Sequence, residues 1–87
     1  MTDPEIERLR EQITSADRTV LDAVNSRLEL VARLKAYKES QGIEFVDEER
    51  EERLLRELVE ANRGPLSEDG VRELFREVLD LTKREVR

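Results

Sequence analysis

Four cations and two carboxylates are the side chains of this sequence whose types and spacing could do chemistry. Arg10, Arg27 and Lys38 lie on a series of alternating four- and three-residue steps that passes through Ile6, Arg10, Ile13, Asp17, Val20, Val24, Arg27, Val31, Leu34 and Lys38. That series is the a/d register of a long packed helix, where apolar residues belong. Burying an unpaired cation is expensive, so cations kept on such a seam are expected to hold something anionic. Downstream, Asp47, Arg50 and Glu51 form a compact cluster that adds a fourth cation and two hydrogen-bond acceptors. The chemistry implied is electrostatic: a small polyanion carrying at least one hydroxyl, held inside a helix bundle.

Helical geometry decides which of these residues can share a ligand. Arg27 and Lys38 are eleven residues apart, which on an ideal helix is about 1100° of rotation, about 20° off alignment, with an axial gap of about 16 Å. Two long side chains can converge across that gap. Arg10 is seventeen residues before Arg27, about 25 Å along the axis and too far to reach the same ligand from the same chain. It could reach a site in a second chain.

The elements that must position these groups are all helical. Asp3-Pro4 pairs an N-cap residue with a proline suited to the first helical position, and acids follow in the positive first turn. No breaker occurs until Gly42, so the first helix is expected over about residues 4 to 40, roughly 55 Å long. Gln41-Gly42 is the stop, Ile43 to Val46 a connector, and Asp47 the cap of a second helix to about Asn62 with Leu54, Leu55, Leu58 and Val59 on its apolar face. Asn62-Arg63-Gly64-Pro65 is turn chemistry, and Ser67 caps a third helix carrying Val71, Leu74, Phe75, Val78, Leu79 and Thr82 as its core stripe. The expectation is an all-α chain of three helices (long, short, medium) in one domain over residues 1–87. The first helix is too long to bury its seam against its own chain, so two chains with paired long helices are expected to close the core.

Composition narrows the function. The 87 residues carry a net charge of −6, with 44% charged and 3% aromatic. An acidic chain of this kind argues against nonspecific nucleic-acid binding and against an anionic membrane surface. Without histidine or cysteine there is no imidazole base, no thiolate nucleophile, no disulfide and no zinc site of the usual ligands. No signal peptide or membrane span is read, and the expected location is the cytoplasm.

Taken together, Leu9-Arg10, Ile13, Asp17, Arg27, Lys38, Gly42, Asp47, Arg50-Glu51 and Phe75 resemble, in order and spacing, the all-helical AroQ-type chorismate mutases. The resemblance covers nearly the whole chain. It implies an intertwined homodimer with two equivalent sites that rearranges chorismate to prephenate on the route to phenylalanine and tyrosine, with no cofactor or metal. It further implies that Arg27, and Arg10 from the other subunit, bind substrate carboxylates. By the same resemblance Lys38 serves a carboxylate and the ether oxygen, Arg50 the cationic wall, and Asp47 and Glu51 the ring hydroxyl.

On the last helix the family pattern has a small polar residue and, four positions later, a glutamine or glutamate. Here those places fall on Thr82 and Val86. Valine cannot donate a hydrogen bond; Glu85 is the neighbouring candidate, about 100° round the helix, and would have to be protonated to donate. Either Glu85 acts as an acid, with turnover rising below neutral pH, or the place is empty and the isolated enzyme is slow. Some small members of the family are activated by docking to the first enzyme of the aromatic pathway, which is the partner this departure implies.

Each cation taken singly is better read as a solvated or snorkelling side chain; the combination argues for a site. Asp17 is read as a register-setting seam residue. The rival readings are a noncatalytic metabolite-binding regulatory dimer, and a mutase or lyase for 4-amino-4-deoxychorismate or isochorismate.

Overall fold

The computed structural model describes residues 3–87 as three helices, α1 (Pro4–Ser40), α2 (Glu48–Ala61) and α3 (Glu68–Glu85). Each begins where a side chain satisfies a free backbone N–H of the first turn. Asp3 Oδ1 accepts from Glu5 N at 2.8 Å, Asp47 Oδ1 from Arg50 N at 3.1 Å, and Ser67 Oγ from Gly70 N at 3.0 Å. Helix α1 ends in a Schellman motif. Gly42 takes a left-handed φ of 67°, the Ile43 N–H reaches back to the Lys38 carbonyl at 2.9 Å, and the Gly42 N–H to the Glu39 carbonyl at 3.3 Å. The Asn62–Leu66 turn is held by Asn62, whose amide donates to the Leu66 carbonyl at 2.6 Å and accepts from the Gly64 N–H at 3.1 Å.

Helix α3 packs against both α2 and α1. Its contact stripe runs through Val71, Phe75, Val78, Leu79 and Thr82, facing Leu54, Leu55, Leu58 and Val59 of α2, with Leu55 and Val71 buried. The expected stripe included Leu74, but that side chain is exposed. An isolated α3 touches its two neighbours over only part of its circumference, and Leu74 lies beyond it.

The rest of the apolar surface has nowhere to go within one chain. From residue 4 to residue 23, α1 is exposed throughout, Ile6, Leu9, Ile13, Val20 and Leu21 included. The chain measures 61 × 24 × 18 Å with a radius of gyration of 17.0 Å, against about 12 Å for a compact domain of this length. Its accessible surface is 7413 Å², whereas a folded monomer of this mass exposes about 5,300 Å². No helix among the described residues is long and apolar enough to cross a membrane.

Candidate active site

The C-terminal half of α1, the first turns of α2 and the end of α3 enclose a cavity of about 200 Å³. Its apolar floor comes from Val31, Leu34, Phe45, Val46, Leu54 and Leu79. Its charged wall consists of Arg27, Lys38, Arg50 and Lys83 with Asp47 and Glu51. Four cations less two carboxylates leave a formal +2 around one small cavity, in a chain whose net charge is −6.

Local structure explains how these groups are aimed. Arg27 and Lys38 emerge from the same face of α1, half-buried, with Val31 and Leu34 between them. The Arg27 guanidinium donates through Nη1 to the Thr82 hydroxyl at 2.7 Å, tying α1 to α3. Lys38 Nζ donates to the Phe45 carbonyl at 3.4 Å, across the connector that follows α1. Lys35 stands over the Phe45 ring, 5.8 Å from its centroid, at the outer range of a cation–π contact. Asp47 is both the cap of α2 and a wall residue, so the positive end of the α2 dipole opens beside the site with Arg50 and Glu51 in its first turn. Lys83 pairs with Glu51, Nζ to Oε1 at 3.1 Å. Among the described residues, Arg27, Lys38 and Arg50 have no carboxylate within ion-pairing distance. Three uncompensated cations converging on a partly apolar cavity make a receptor for a small polyanion.

The structure brings Arg27, Lys38, Asp47, Arg50, Glu51 and Thr82 to this cavity and leaves three other sequence candidates outside it. Arg10 lies on the bare half of α1, beside Glu7, Glu11, Thr14 and Arg18. Glu85 is the last residue of α3 and exposed, and Val86 leaves the helix in an extended conformation, half-buried but off the cavity wall. Sequence reasoning missed Lys83 and Leu79 as wall residues. Leu79 lies on the apolar stripe of α3, which was the signal available for it. Nothing in the sequence separates Lys83 from the other surface cations. No cluster of potential metal ligands occurs among the described residues.

The fold is an all-α chain of three helices with a cation-lined cavity between them. Residues 9–87 match the model of the chorismate mutase type II family, and the chain belongs to that family. Two forms of chorismate mutase from Thermus thermophilus share the fold. Form I superposes with a TM-score of 0.87 at 28% identity, covering 90% of this chain and 98% of that one. Form II gives a TM-score of 0.84 at 30% identity, covering 95% and 99%. A bifunctional chorismate mutase/prephenate dehydratase of Stutzerimonas stutzeri is 32% identical in an 80-residue alignment that covers 86% of this chain. The chain spans about a fifth of that relative's length, 22%.

Proposed function

We propose that this chain is a cytoplasmic chorismate mutase, rearranging chorismate to prephenate for phenylalanine and tyrosine synthesis. The observation that carries the reading is the cavity where Arg27, Lys38 and Arg50 converge without carboxylate partners. Chorismate is a dianion, and a formal +2 wall complements it in charge.

The reaction is a unimolecular Claisen rearrangement: the ether C–O bond breaks as a new C–C bond forms, with no nucleophile, proton shuttle or cofactor required. An enzyme accelerates it by holding the compact conformer in which the reacting carbons meet, and by stabilising negative charge that grows on the ether oxygen. Arg27 binds a substrate carboxylate. Lys38, at the far end of the same α1 face, takes the other carboxylate and the ether oxygen. Arg50 completes the cationic wall, and Asp47 and Glu51 accept from the ring hydroxyl. Val31, Leu34 and Phe45 exclude water around the ring, which strengthens each of these interactions.

The working form is an intertwined homodimer. Its support is the bare half of α1 and the surface excess of about 2,100 Å² per chain over a compact monomer, an area in the range of obligate interfaces when doubled. In that dimer Arg10, stranded in its own chain, closes the partner's site. The place four residues after Thr82 is Val86, whose side chain has no donor, and the exposed position of Glu85 off the cavity wall supports the reading in which this place is empty. Lys38 then supplies the ether-oxygen stabilisation alone, and the isolated enzyme is slow. Docking to the first enzyme of the aromatic pathway is the activation this reading carries, measured by titrating that enzyme into the assay.

The test follows the loss of chorismate absorbance with purified protein above and below neutral pH, with Arg27→Ala as control. Turnover that disappears in the variant is expected. Chorismate binding without turnover at either pH, and still none when the first enzyme of the aromatic pathway is added, would replace the mutase by a ligand-sensing dimer.

A further inference from the structure

Both carboxylates on the cavity wall are answered within the chain. Asp47 caps α2, its Oδ1 accepting the Arg50 N–H at 3.1 Å, and so lies against the positive end of that helix. Glu51, one turn further along, is answered from α3: the Lys83 ammonium stands 3.1 Å from Oε1 and 3.4 Å from Oε2, across both oxygens of the carboxylate. This is the one ion pair between helices among the described residues. Lys83 and Glu51 line the cavity and also an outer groove between α2 and α3, where Arg76 and Asp80 are their neighbours.

An ionised carboxylate offers about four lone-pair sites on its two oxygens. An ammonium set across both oxygens leaves sites free, so Glu51 can still accept from a hydroxyl. Its charge, however, is already met. A cationic substituent gains nothing from a neutralised carboxylate and meets the Lys83 ammonium beside it. An aliphatic amine is such a substituent, because it is protonated at neutral pH. The whole wall points the same way. Its formal +2 matches a ligand with two carboxylates and a neutral hydroxyl, whereas an ammonium in place of the hydroxyl lowers the ligand to −1.

Resting on the reading of Glu51 as acceptor for the ring hydroxyl, we propose that Lys83 is a specificity-determining residue: by neutralising Glu51 it selects a substrate with a hydroxyl on the ring over one with an amino group at the same carbon. It acts through Glu51 and touches none of the reacting atoms. Glu51 is the less exposed of the two partners, so its charge, once freed, acts in the less screened surroundings. Discrimination of this kind works by disfavouring the wrong ligand, since a hydroxyl and an ammonium are of nearly equal size.

The experiment measures kcat/KM of the full chain for chorismate and for 4-amino-4-deoxychorismate, with protein in excess. The variants are Lys83→Met, which keeps the length of the side chain without its charge, Lys83→Arg, which keeps the charge, and Arg76→Gln. Arg76 carries no ion pair among the described residues and lies off the cavity wall, so it controls for net charge. The wild type is expected to prefer chorismate. Lys83→Met should lower the value for chorismate several-fold and raise it for the amino compound, so that the ratio of the two falls about tenfold. Lys83→Arg and Arg76→Gln should keep the wild-type ratio. An unchanged ratio in Lys83→Met, or an equal fall in Arg76→Gln, would overturn the proposal. Because each ratio is taken on one preparation, a partly unfolded variant leaves it unaltered. A wild type that binds both compounds and converts neither would overturn the mutase reading instead. The ratio of their dissociation constants, measured by calorimetry in the same variants, then decides the role of Lys83 by the same criteria.

Discussion

Lys83 on α3 reaches across to Glu51 on α2, its Nζ 3.1 Å from Oε1, and this pair forms the seam where the two short helices close one side of the cavity. Both side chains are partly exposed, at 46% and 27%, so the pair adds little to stability, about 1 kcal/mol at most. Its weight is electrostatic. Lys83→Gln lowers the formal charge of the wall from +2 to +1 and is expected to raise KM for chorismate several-fold while moving kcat less. Steady-state kinetics at low and high salt check this, since the effect should shrink as salt screens it. An unchanged KM would remove Lys83 from the site.

Arg27→Leu separates binding chemistry from packing. A half-buried cation replaced by an apolar side chain is expected to leave the melting temperature equal or higher while chorismate turnover falls at least a hundredfold. A protein that keeps its turnover would show that Arg27 serves the fold alone.

Arg10 provides the test of the paired assembly. Arg10→Ala and Arg27→Ala are each expected to be nearly inactive. Unfolded together in equal amounts and refolded, they should recover about a quarter of wild-type activity, because mixed dimers carry one site with both arginines intact. Recovery confined to the background of the two variants would mean that Arg10 contributes nothing across subunits.

Gly42→Ala tests the stop of α1. Nothing lies within 4 Å of where its Cβ would stand, and φ is +67°, so the penalty is backbone alone: about 1–2 kcal/mol of stability. Chemical denaturation should show that loss as a lower midpoint at constant slope. No change would mean that the turn finds another conformation.

The helices were legible because their signals are local. Asp3-Pro4, Gln41-Gly42, Asp47 and Ser67 each carry a cap or a stop in the residues themselves, and the observed bounds fall within a residue or two of them. The shared face of Arg27 and Lys38 was legible for the same reason, since helical rotation needs only their separation. Two relationships were not legible. The Arg27–Thr82 bond joins residues 55 apart and the Lys83–Glu51 pair residues 32 apart, and both depend on how α3 lies across the other helices, which no local pattern encodes. Leu74, which periodicity put on the core stripe, is exposed in the single chain, as are the apolar residues of the first half of α1.

The end of α1 ties Lys38 to the connector at both extremities of the residue. The Lys38 carbonyl receives the Gln41 and Ile43 N–H groups at 3.1 and 2.9 Å, and its ammonium spans to the Phe45 carbonyl at 3.4 Å. The inner pair is a firm hinge pin; the outer contact is a loose latch, near the limit of a hydrogen bond. Lys38 thus belongs to two elements at once: its backbone ends α1 and its side chain reaches the connector, so the turn that stops the helix also sets where the ammonium stands beside the cavity.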